Sequence, residues 1–158
     1  MKKVKILYTV IFISIVLYII HFIMNTFLMY YKPEFLNFPK TFYSQFIFGY
    51  YTQFVSLFFS ILTFIALFYV KSGLGVIIKE GFFNAKCSKQ FKISGNIFLI
   101  TGSLSFLWYL LLLFYSKGKM PISGASDVLL IIIGLGMLVI TDIVKNGHLI
   151  KKENDLTI

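Results

Sequence analysis

Few side chains in this sequence could do chemistry, and their spacing restricts what that chemistry could be. The histidines are His21 and His148, and the single cysteine is Cys87. Structural zinc sites need several Cys or His ligands at short, fixed spacings, and none occur, so no metal and no cofactor are expected. A lone cysteine also excludes an internal disulfide. Cys87 stands between Lys86 and Lys89, neighbours that can lower a thiol pKa, but no histidine or second cysteine completes a reactive pair. Glycine-rich phosphate loops, nucleophile elbows and paired carboxylates are missing too, and no enzyme is expected.

One polar pattern lies inside an apolar stretch: Ser14, Tyr18, His21 and Asn25. These positions fall at i, i+4, i+7 and i+11, which is one face of a helix. One reading is a small polar cavity with His21 as its titrating member. The other is that His21 and Asn25 hydrogen-bond their neighbours and fix the helix register. The absence of an acidic residue at mid-depth favours the second, because ion-coupled transporters keep such a residue.

The elements that carry these residues follow from composition. Of 158 residues, 58% are hydrophobic and 13% charged, against about 45–50% and about 25% in soluble domains. A membrane protein is expected. Every one of the fifteen basic residues is lysine, so arginine-fork recognition of phosphate or guanine is impossible. The net charge of +9 is assigned to lysines flanking membrane spans, and direct nucleic-acid binding is not expected.

A span needs about 20 mostly apolar residues. Uncharged runs cover Ile6–Tyr31, Thr41–Val70 and Ile93–Ser116, and a shorter one, Val128–Thr141, lies between Asp127 and Asp142. The expected fold is therefore an all-α membrane protein. Its four transmembrane helices, at about 6–29, 46–70, 93–116 and 123–145, form two antiparallel hairpins with no further domain. Asp127 and Asp142 then lie near the headgroups, where Asp127 complements the positive start of helix four and Asp142 can pair with Lys145. The amino-terminal run imitates a signal peptide but is too long for one, and it reads as an uncleaved first helix.

Lysine placement orients the spans. Eleven lysines fall in the amino terminus, the middle segment 71–92 and the tail 146–158 with its flank, and four in the other two loops. The positive-inside rule then places both termini and the middle segment in the cytoplasm, with a bacterial cytoplasmic membrane as the location. Pro33, Pro39 and Pro121, and the aromatic group Tyr30, Tyr31, Phe35, Phe38, Phe42 and Tyr43, fall on the outer side, where an interfacial belt belongs. The short third loop, around Lys117–Ser123, implies a hairpin.

Helices in lipid associate through small residues and shared hydrogen bonds. Thr52, Ser56, Ser60 and Thr63 form such a stripe on helix two. Gly95, Gly102 and Tyr109, with Thr101 and Ser105, form one on helix three, and Gly134 and Gly136 thin helix four. In the middle segment, Gly73, Gly75 and Gly81 are expected to break any continuous helix, while Asn84 can cap a helix running from Ala85 into span three. Ile77, Ile78, Phe82 and Phe83 suit the membrane surface. Lys86, Lys89 and Lys92 recur about once per turn, to meet anionic headgroups or an acidic partner.

Two segments on the cytoplasmic side carry recognisable pattern. The first runs through Phe83, Asn84, Phe91, Lys92 and Gly95; the second through Gly147, Ile150, Glu153, Asp155, Leu156, Thr157 and Ile158. On these residues the chain resembles the bacterial domain-of-unknown-function family numbered twenty-nine seventy-five, small four-span membrane proteins. Phe91 stands where leucine is usual, and lysine where arginine is usual. The resemblance supplies no activity, but it implies a context beside small helix-turn-helix regulators.

The expected function is accordingly a membrane-anchored regulatory partner. Phe83, Asn84, Phe91, Lys92, Gly147, Glu153, Asp155, Leu156 and Thr157 would dock a small cytoplasmic DNA-binding regulator while the bilayer holds the chain. The alternative is a small transporter or an immunity factor against a membrane-active peptide, with function on the outer loop and the Ser14–Asn25 stripe. The sequence fixes no copy number.

Overall fold

The computed structural model describes residues 2–31, 52–115 and 124–156. They form four helices, α1 (Lys2–Tyr31), α2 (Thr52–Glu80), α3 (Ala85–Tyr115) and α4 (Ala125–Leu156). Each contains a stretch long and apolar enough to cross a membrane. Large apolar side chains such as Leu17, Ile23, Phe58, Ile100, Leu107 and Ile143 are exposed on the outside, as lipid-facing positions must be. The expected aromatic group Phe35, Phe38, Phe42 and Tyr43, the three prolines, the third loop, Thr157 and Ile158 lie outside the described residues.

The middle segment differs from its sequence reading. Gly73 and Gly75 do not break the helix; α2 continues through them to Glu80, and only residues 81–84 separate it from α3. Gly73 is instead a site of close approach, whereas Gly75 leaves room for a side-chain carbon. A Cβ at Gly73 would lie 2.5 Å from the Phe91 ring, and one at Gly75 would lie 3.6 Å from Tyr8. Gly81 makes the turn, with a φ of 93° that side chains rarely tolerate. Asn84 then caps α3, its Oδ1 accepting the Lys86 N–H at 2.8 Å, as its residue type predicts.

Each helix packs on the next in sequence, α1 on α2, α2 on α3 and α3 on α4. Lys71 of α2 sits with its Nζ 4.5 Å from the centre of the Phe12 ring, which ties α1 to α2. The closest seam is α3 on α4. Ser88 Oγ donates to the Thr141 carbonyl at 3.3 Å, Gly95 faces Gly134, and Gly102 faces Asp127 and Ile131. As numbers rise along α3 they fall along α4, so the two run antiparallel. Gly134 is in this seam, whereas Gly136 has open space around it.

This register sets a stagger that changes the place of Asp127. Ser105 Oγ donates to Asp127 Oδ1 at 2.7 Å, and Ser105 is at the centre of the uncharged run Ile93–Ser116. Past Ser105, α3 continues to Tyr115, a further distance of about 15 Å at 1.5 Å per residue. The start of α4 is thus level with the middle of α3, and Asp127 is not beside the end of that span. Counting apolar residues assumes that neighbouring helices begin at one level; the small-residue seam decides otherwise.

Close packing is concentrated toward the α2–α3 turn. Ala66, Val70, Leu74, Ile77, Cys87, Phe91, Phe98 and Val144 form the buried cluster, with Val4, Tyr8 and Ile11 of α1 against it. The other half of the molecule is more polar inside.

Candidate functional site

The two patterned segments meet at the turn end. Phe83 follows Gly81 in the turn, and its ring lies on Gly147, leaving no room for a Cβ there. One residue on, His148 Nδ1 donates to the Phe83 carbonyl at 3.3 Å. Asn84 adds a second tie: its Nδ2 donates to Glu80 Oε2 at 2.6 Å, and Lys86 pairs with Glu80 at 3.6 Å. The turn is therefore clamped on both sides, by the end of α2 and by α4. These hydrogen bonds and a short turn give this end a defined shape.

Two concavities flank that clamp. A shallow one of about 220 Å³ is lined by Glu80, Phe83, Asn84, His148, Lys151, Lys152 and Asp155. A larger groove of about 510 Å³ runs between α3 and α4, lined by Ser88, Lys89, Lys92, Asn96, Asp142, Lys145 and His148 among others. Asp142 and Lys145 face this same groove without an ion pair joining them, and three lysines against one carboxylate leave it cationic. The turns of α4 beyond Gly147 are exposed, with Leu156 77% accessible at the end. Glu153, Asp155 and Leu156 all lie on this helical extension rather than on a frayed terminus.

The expected docking residues thus divide by position. Phe83, Lys92, Glu153, Asp155 and Leu156 are exposed, and Asn84 and Gly147 hold the clamp. Phe91 does not belong on such a surface. It is only 4% exposed and packs on Gly73, because the face of α3 that it occupies turns toward α2. Thr157 lies outside the described residues. Glu80 and His148, which sequence reasoning did not select, bind the turn to its neighbours; their only sequence signal is closeness to Asn84 and Gly147.

Cys87 is fully buried at the start of α3, ahead of the uncharged run. Burial pushes its thiol up to about 11, opposite to the lowering that flanking lysines would cause. Lys86 and Lys89 are both exposed, and Lys86 pairs with Glu80.

On the α1 stripe, Asn25 Nδ2 and His21 Nε2 form a hydrogen bond of 2.8 Å along the helix. Tyr18, His21 and Asn25 line a cleft of about 220 Å³ with Ser56 and Ser60 of α2. Ser14 is one turn away and does not line it.

The family described as Protein of unknown function (DUF2975) matches residues 35–158. The match takes in α2, α3 and α4 and both patterned segments, and it begins beyond α1. No curated protein and no solved structure matches the chain. With residues 35–158, most of its length, matched, the chain belongs to the DUF2975 family.

Proposed function

We propose that the chain is a membrane-anchored regulatory partner, in the bacterial cytoplasmic membrane with both termini inside, that docks a small helix-turn-helix regulator at its turn end. The orientation is supported by eleven lysines on the side of the turn and termini against four on the other. The observation that carries the docking reading is the contact of Phe83 with Gly147 and His148. It brings two patterned segments, distant in sequence, into one surface. An exposed helical extension ending in Leu156 projects from it. An apolar end on a charged helix suits an amphipathic partner surface, and Lys89, Lys92 and Lys145 suit acidic groups beside it. No step of this reading requires catalysis. To act as a switch, the membrane portion must change the affinity of the docking face between two states.

The test is a pull-down from mild detergent comparing the full chain with one ending at Lys152. A small DNA-binding protein retained by the full chain and lost on truncation is expected. Equal capture by both forms, or unchanged target transcription after deletion of Glu153–Ile158, overturns the reading.

The second reading, a small transporter or an immunity factor, is favoured by the cleft at Tyr18, His21 and Asn25. It predicts that His21→Leu abolishes transport or protection while the tail truncation leaves either intact.

A further inference from the structure

The groove between α3 and α4 changes polarity with depth. Lys89, Lys92 and Asn96 fall at i, i+3 and i+7 on one face of α3, and Lys145, Asp142 and Leu138 descend the facing side of α4 at the same spacing. The uncharged run of α3 begins at Ile93 and that of α4 ends at Thr141, so Lys92 and Asp142 mark the edge of the apolar layer. With Ser88 level with Thr141, the order from water inward is Lys145, Asp142, Lys89, Lys92 and Asn96, spread over about 18 Å at 1.5 Å per residue. Beyond Asn96 and Leu138 the same two faces continue with Ile100 and Leu135, both exposed.

Two features call for an occupant that the protein does not supply. Among the described residues, no ion pair takes up Lys89, Lys92 or Lys145, whereas Lys86 is paired with Glu80 at the turn. The second feature is Asn96. It is exposed one turn inside the uncharged run of α3, and no hydrogen bond among the described residues takes up its amide. A bare amide facing hydrocarbon is costly. Unpaired lysines alone would suit any anion in water; Asn96 adds a polar demand at the depth where a lipid carries its ester groups.

We propose that this groove binds one anionic glycerophospholipid with a hydroxylated head group, of the phosphatidylglycerol type. Its phosphate lies between Lys89 and Lys92, and the Asn96 amide donates to its ester oxygens. An acyl chain follows Ile100 and Leu135. The head-group hydroxyls donate to Asp142, a carboxylate that repels a more highly charged phosphate monoester. A basic pocket between spans at the membrane edge is the usual form of such lipid sites, and about 510 Å³ admits a head group rather than a bare ion. The lipid phosphate is then the acidic group that these lysines meet beside the docking face. The site itself requires neither a regulator nor the tail.

The full chain in dodecyl maltoside is incubated with an equimolar mixture of phosphatidylglycerol, phosphatidic acid and phosphatidylcholine of one acyl composition. Lipid retained per chain after gel filtration is measured by mass spectrometry. Saturable retention of phosphatidylglycerol is expected, above phosphatidic acid and well above phosphatidylcholine, and millimolar inorganic phosphate should not displace it. Lys89→Gln with Lys92→Gln, at exposed and unpaired positions, keeps the fold and should lower retention about tenfold or more. Lys2→Gln with Lys3→Gln, the same loss of charge at exposed positions of α1, should leave it unchanged. Asn96→Leu should lower retention by roughly threefold to tenfold, and Asp142→Ala should abolish the preference over phosphatidic acid. A chain ending at Lys152 should retain lipid like the full chain, which separates this site from capture of a regulator. Equal retention of phosphatidic acid or phosphatidylcholine, displacement by inorganic phosphate, or equal loss in the two lysine pairs would each overturn the proposal. So would Asn96→Leu at full retention, a head-group preference that survives Asp142→Ala, or loss of lipid on truncation.

Discussion

Two alanine substitutions on α4, two residues apart, should change stability by different amounts. At Gly134 an added Cβ would lie 2.8 Å from the Leu99 nitrogen and 2.9 Å from the Gly95 carbonyl oxygen. Both are backbone atoms and cannot rotate aside. Non-bonded heavy atoms prefer about 3.5–4.0 Å, so α3 and α4 must part by roughly 0.5–1 Å. Overpacking of this kind costs about 1–3 kcal/mol. Against it stands the gain of replacing glycine inside a helix, about 0.5–1 kcal/mol. At Gly136 nothing lies within 4 Å, and only that gain remains. Gly136→Ala should therefore stabilise the protein by about 0.5–1 kcal/mol, and Gly134→Ala should leave it neutral or destabilised by up to about 2 kcal/mol. The helix-propensity contribution cancels in the difference, which isolates the seam contact at about 1–3 kcal/mol. Equilibrium unfolding in mixed micelles of rising dodecyl sulfate fraction, followed by emission of Trp108 on α3, measures both. Equal shifts for the two variants would refute the assigned register of α3 against α4.

Two further outcomes follow from the turn end and the buried thiol. Asn84→Ala removes the cap of α3 and the bond to Glu80, and should destabilise by about 1 kcal/mol, read as a lower thermal midpoint that Asn84→Ser, which keeps a capping oxygen, partly restores. Cys87 should resist maleimide at pH 7 in the folded protein and react once unfolded. Because burial holds its thiol up at about 11, the folded state keeps its proton while an unfolded thiol loses it above about 8.5. The native chain should then lose stability relative to Cys87→Ala as pH rises through that window.

The candidate sites were legible in the sequence to different depths. Asn84 was readable because capping is local: a residue type, a preceding glycine turn and a following helix are all within reach of one another. The serine and threonine stripes of α2 and α3 were readable as inward seams, since the helical period alone fixes which positions share a face. That Ser56, Ser60, Thr101 and Ser105 would meet Asp127 around one cavity was not readable. Phe91 illustrates the converse. Its place in a recognisable pattern marked it as a docking residue, yet the pattern records a packing need against Gly73. Gly73 and Gly75 were read as helix breakers from composition, but α2 runs through both, and at Gly73 small size against the Phe91 ring matters more than flexibility.

The sequence by itself determined four helices able to cross a membrane and the strong lysine bias toward one side. Both are properties of short stretches: a bilayer leaves no water for free backbone groups, so about 20 apolar residues must form a helix. Only the tertiary structure decided the levels at which those helices stand. Contact of Gly95 with Gly134 and of Gly102 with Asp127 sets α4 half a span down along α3. That stagger places Asp127 beside Ser105 and Gly147 beneath Phe83. Register between helices is a property of pairs of surfaces, and periodicity along one chain segment does not encode it.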